Sequence, residues 1–72
     1  MSLSKVEKGK RTVITGMNVG SALLGRLASM GLVPGAEVEM VNNSLHNGYI
    51  IRCKDTRLVL GRGLAHIIQV QD

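Results

Sequence analysis

Seventy-two residues with 44% hydrophobic content make one domain, and a chain of this length buries only about 60% of its unfolded surface, which leaves a thin stability margin. There is no Phe, no Trp and a single Tyr, so the core must be assembled from Leu, Ile, Val, Met and Ala, with less apolar area per residue than aromatics supply. Nine Lys and Arg against five Asp and Glu give a formal net charge of +4, which favours acidic partners, but the charges stand singly and read as an ordinary solvated surface.

The lone Cys53 excludes an intramolecular disulfide framework. No amino-terminal stretch joins a basic region to an apolar one, and no segment approaches the roughly 20 apolar residues that cross a bilayer. The expected location is cytoplasmic, with any association at the inner membrane running through a partner. Asn42-Asn43-Ser44 matches a glycosylation sequon, a chance match without a secretory signal.

Residues 1–9 are polar apart from Leu3 and Val6 behind Met1. The opening reads as frayed or vector-derived and receives no function. Residues 10–15 alternate and are rich in β-branched side chains, marking a first strand whose core residue is Val13, or Ile14 if both faces are covered. A loop follows over 16–20, in which Asn18 or Gly20 caps a helix beginning near Ser21.

The stretch 21–41 organises the chain. On a helical wheel Leu23, Leu24, Leu27, Ala28 and Met30 share one arc, opposite Ala22, Gly25, Arg26 and Ser29, which predicts an amphipathic helix with the first arc buried. Gly31 supplies the left-handed conformation that ends the helix, and Leu32 folds back on Leu27 as in a Schellman ending. Pro34 and Gly35 then fit a type II turn, and the alternation of Glu37, Val38, Glu39 and Met40 predicts a strand with one wet face.

Residues 42–48 read as a polar loop closing on the hairpin signal Asn47-Gly48. A third strand over 49–54 turns Tyr49, Ile51 and Cys53 inward. Lys54-Asp55-Thr56 reverses the chain, with Asp55 able to bond its own backbone and to tolerate left-handed φ, and a fourth strand over 57–61 puts Leu58 and Leu60 on one side. Gly61-Arg62-Gly63 breaks it, residues 64–66 suit a single 3₁₀ turn, and 67–70 form the closing strand. The expected fold is mainly β: a small five-stranded SH3-like barrel with one α-helix between the first two strands.

Catalytic residue types are scattered. His46, His66 and the carboxylates Glu7, Glu37, Glu39, Asp55 and Asp72 form no nucleophile–base pattern, so no enzyme is expected. With only Cys53, His46 and His66 as soft or borderline ligands, no intramolecular metal site and no cofactor are expected. The glycines give no phosphate-binding motif. A small basic barrel binding nucleic acid is the alternative: Arg52, Lys54, Arg57 and Arg62 could lie together, but Tyr49 alone offers no stacking platform. The other suggestive surface is the helix strip Ala22, Gly25 and Ser29 beside Arg26. A helix-interior glycine costs about 1 kcal/mol relative to Ala, so Gly25 either admits a partner or relieves crowding against the amino-terminal loop.

The residues Leu24 to Gly35, with Arg26-Leu27, Met30-Gly31-Leu32 and Pro34-Gly35 as the most specific part, followed by Val38, Met40, Thr56-Arg57-Leu58-Val59-Leu60, Ala65 and Ile68, resemble the ferrous iron transport protein A family over about residues 10–70. The resemblance implies a small cytosolic SH3-like barrel that assists a membrane ferrous iron transporter bearing a cytosolic guanine-nucleotide-binding domain. The same domain also occurs at the carboxyl end of iron-dependent repressors. It implies no catalytic motif; it implies an adaptor that binds the transporter's cytosolic part and shifts its conformational populations. Partner-binding residues expected on this basis are Ala22, Gly25, Arg26, Ser29, Arg52 and Arg57, carried by the structural motif Leu27, Gly31, Leu32, Pro34 and Gly35. Gly25, at a position often charged in the family, and the absence of a proline at 42–47 depart from its pattern.

Overall fold

The computed structural model describes residues 1–45 and 48–72. Five strands, β1 (Arg11–Met17), β2 (Glu37–Leu45), β3 (Gly48–Cys53), β4 (Thr56–Leu60) and β5 (Ile68–Val70), form one sheet in the order β4-β3-β2-β1-β5, with helix α1 (Ser21–Ser29) between β1 and β2 and helix α2 (Arg62–Ile67) before β5. Each neighbouring pair is antiparallel. Register shifts interrupt β1 between Ile14 and Gly16 and β2 between Met40 and Asn42. Such irregularities bend a strand and increase its twist, which is how one sheet wraps around one core.

Alternation fills that core. Val38 and Met40 from β2, Tyr49, Ile51 and Cys53 from β3, Leu60 from β4, and Ile68 and Val70 from β5 are all buried. On β1 the core residue is Ile14, while Val13 is half-buried. Gly48 is required by space: a Cβ there would lie 2.6 Å from the Leu60 carbonyl oxygen.

The helix stop follows the expected geometry. Gly31 has φ +89°, its N–H donates to the Ala28 carbonyl and the Leu32 N–H to the Leu27 carbonyl, each at 2.9 Å, which is the paired bonding of a Schellman ending. Gly35 has φ +95°, and Ala36 N–H donates to Val33 C=O at 3.0 Å, closing the Pro34-Gly35 turn. Leu27 and Leu32 are both fully buried.

Several expectations are corrected. The opening segment is part of the fold: Leu3 in a 3₁₀ turn (Leu3–Lys5) and Val6 are core residues, and Val70 N–H donates to Met1 C=O at 2.8 Å. Residues 42–45 continue β2 rather than opening a loop; the expected turn residue Asn47 and the candidate ligand His46 lie outside the described residues. At the β3–β4 reversal Lys54, not Asp55, takes the left-handed conformation, with φ 57°. Residues 62–67 form a short α-helix in place of a 3₁₀ turn, anchored by the buried Ala65. The largest correction concerns α1, whose expected inner arc is mostly outside: only Leu27 is buried, and Leu23, Leu24 and Met30 are exposed.

Candidate interaction surfaces

Helix α1 is held at its carboxyl-terminal end. Gly20 is its N-cap, accepting from Leu24 N–H at 2.9 Å, and the Schellman ending seats Leu27 and Leu32 in the core. A nine-residue helix is too short to persist on propensity alone, so these anchors fix it on the barrel while leaving its sides uncovered. Ala22, Gly25, Arg26 and Ser29 all lie on the exposed surface. The Ser29 hydroxyl donates to the Arg26 carbonyl at 2.7 Å, and a Cβ at Gly25 would meet nothing within 4 Å. Among the described residues Gly25 therefore relieves no crowding. Leu23, Leu24, Met30 and Val33 are 36%, 40%, 42% and 39% exposed, which adds an apolar border that the helical wheel had assigned to the core.

The second surface is the solvent face of β1–β4. Register places Arg11 opposite Glu39, Glu39 opposite Arg52, and Arg52 opposite Arg57. Arg52 forms an ion pair with Glu39 at 3.5 Å. Around this row lies a shallow crevice of about 160 Å³, lined by Arg11, Glu37, Val38, Glu39, Arg52 and Lys54. Its cations are interleaved with carboxylates, so the crevice is not a uniform phosphate track. Arg62 starts α2 instead of joining the strands, and the Tyr49 ring is buried at 7% exposure. The stacking platform of a single-strand binder is missing from this face.

Two contacts escaped the sequence reading. The Ser4 hydroxyl and His66 Nδ1 lie 3.0 Å apart, with the Ser2 hydroxyl 2.6 Å from that of Ser4. They pin the opening turn to α2; the nearest signal in the sequence is the apolar pair Leu3, between the two serines, and Val6, two residues after Ser4. The Met1 α-ammonium donates to Asp72 at 2.7 Å. That hydrogen bond, and then the ammonium charge, holds the Asp72 carboxyl below its ordinary range. Among the described residues no cluster of three His, Cys, Asp or Glu side chains is placed to hold a metal ion, and no helix is long and apolar enough to cross a membrane.

A bent five-stranded antiparallel sheet around an aliphatic core, with one helix set on its outside, defines a small mainly-β domain. The FeoA domain family matches residues 1–72, so the chain belongs to the FeoA family. A Methanocaldococcus jannaschii protein bearing the name Fe(2+) transport protein A is 32% identical over 71 residues, covering 97% of this chain and 84% of that protein. The crystal structure of an iron uptake regulatory protein, FeoA, superposes with TM-score 0.86 at 30% identity, covering 99% of this chain and 95% of its own. The zinc complex of Stenotrophomonas maltophilia FeoA, described as a prokaryotic SH3 domain protein, gives 0.82 at 25% identity, with 99% and 89% covered. The fold is SH3-like, as expected.

Proposed function

We propose that this chain is an accessory protein of ferrous iron uptake that acts by binding the cytosolic part of the membrane ferrous iron transporter, from the cytoplasm and without inserting in the membrane. The family and the name of its M. jannaschii relative support the iron-uptake role, and an activating role in ferrous iron transport has been suggested for the S. maltophilia protein. The observation that carries the binding reading is α1: the helix exposes a small-residue strip whose Gly25 has no internal packing reason, bordered by exposed Leu23, Leu24 and Met30. A close-approaching partner gives both features a use, since interface cores are apolar and tightly packed. The proposal assigns no catalysis and no cofactor to the chain; its effect is a shift of transporter conformations.

The test is the double variant Gly25→Arg with Ser29→Arg. Both side chains project into open surroundings, and at position 29 a cation at the helix C-terminus suits its dipole, so the melt should stay close to wild type while cellular ferrous iron uptake falls. Unaltered uptake with the complex intact would move docking to the Arg52 and Arg57 face. Submicromolar, sequence-preferring binding of single-stranded oligonucleotides at physiological salt would instead favour the nucleic-acid alternative.

A further inference from the structure

Among the described residues strand β4 ends the sheet and pairs only with β3. Its hairpin loop is the two residues Lys54 and Asp55, with Cys53 opposite Thr56. Residues flanking a two-residue loop bond to each other across it, and antiparallel pairs then alternate between bonded and non-bonded. Cys53/Thr56, Ile51/Leu58 and Tyr49/Leu60 are therefore the bonded pairs, and Arg52/Arg57 and Ile50/Val59 the non-bonded ones. Arg57 and Val59 thus aim their backbone N–H and C=O groups away from β3, toward the open edge.

Their side chains stand on the solvent face. Arg57 is exposed, and among the described residues its register neighbour is another cation, Arg52, which already has Glu39. Like charges directly opposite are unfavourable in a sheet. A charge on an edge strand is an ordinary guard against aggregation, but a guard does not explain its neighbour: Val59 is 72% exposed, the most exposed large apolar side chain of the described residues, beside the half-buried Ile50.

We propose that the β4 edge is a strand-addition site for an extended acidic segment of a partner protein, running antiparallel to β4. Its pattern is an apolar residue opposite Val59 and, two residues further on, a carboxylate opposite Arg57. Backbone bonds to Arg57 and Val59 supply the pairing, and the carboxylate relieves the Arg52/Arg57 opposition. A second copy of this chain fits less well. Pairing β4 with itself brings two Arg57 and two Arg52 side chains together between chains that each carry net charge +4. The proposal is independent of α1 and of which partner α1 binds.

The probe is an acetylated, amidated octapeptide of threonines carrying one valine and, two residues later, one aspartate, titrated into the full chain and followed by amide chemical shifts and hydrogen exchange. Protection should appear at the Arg57 and Val59 amides, since those of Thr56, Leu58 and Leu60 are already bonded. Arg57→Glu should weaken binding by about five- to tenfold, and a lysine-for-aspartate peptide should recover it. Val59→Pro should also abolish protection at Arg57 while leaving the β3–β4 amides protected, because proline is tolerated where the lost N–H faced solvent. Binding unchanged in both variants would overturn the proposal. So would the absence of any shift at Arg57 and Val59 at millimolar peptide, or β4-mediated dimers in sedimentation that acidic peptide does not dissociate.

Discussion

Strand β3 and helix α1 carry apolar residues at the spacing their secondary structure demands, yet β3 buries Tyr49, Ile51 and Cys53 while α1 buries Leu27 alone. Periodicity shows that a face exists; whether that face is covered depends on what the topology puts opposite it. β3 lies inside the sheet, between β2 and β4, so its inner residues face the rest of the barrel. α1 connects two neighbouring strands and is fixed at one turn by Leu27, Gly31 and Leu32. Its remaining apolar residues have only the surface to occupy.

The sharpest break would come from truncating anchor and arc separately. Leu27→Ala should cost about 3 kcal/mol, as for large-to-small changes at fully buried sites, whereas Leu23→Ala should stay below about 1 kcal/mol. Equal losses in thermal melts would mean that the arc is structural after all. Gly31→Val should cost about 2 kcal/mol, since a β-branched residue is strained at positive φ and its Cβ would sit 3.6 Å from Cys53 Sγ. Arg57→Ala, by contrast, should change stability by no more than about 0.5 kcal/mol.

Gly25→Ala sharpens the comparison because its sign is opposite. With nothing within 4 Å of the new Cβ, the helix should gain about 0.5–1 kcal/mol, measured as a raised midpoint in urea. A loss would mean that Gly25 answers to internal packing. The smallest effect belongs to the terminal pair. Because the Asp72 carboxyl is held below 3.8, its ionised form contributes stability that is complete above the ordinary carboxylate range and is lost as pH falls through the folded value. Asp72→Asn should therefore melt slightly lower than wild type at neutral pH, and the two should converge in acid.

The parts of the fold legible in the sequence are those governed by local chemistry. Gly31, Pro34 and Gly35 dictate their turns whatever surrounds them, and strict alternation at Tyr49 to Cys53 leaves one inward face. What misled were features decided at long range. Leu3 and Val6 look incidental in a polar opening, but the sheet brings β5 and Asn43 to them: Ser2 bridges Gln69, and Asn43 Nδ2 donates to the Val6 carbonyl at 3.2 Å. Polar Asn42 and Asn43 read as a loop because composition carries no trace of β3, whose Ile50 pairs with Asn42 and carries β2 onward. Of the candidate surface, the small strip of α1 and the Arg52/Arg57 pairing were readable from spacing. The exposure of Leu23, Leu24 and Met30 was not, since a helical wheel cannot distinguish a core face from a docking face.

Helix α1 is the proposed docking element, and site-specific photocrosslinking in cells tests this most directly. Photoreactive residues placed singly at Leu23, Ser29 and the exposed Lys8 should give transporter adducts from positions 23 and 29 and none from position 8. Adducts from position 8 alone, or none from 23 and 29 in cells whose iron uptake still depends on this chain, would contradict it.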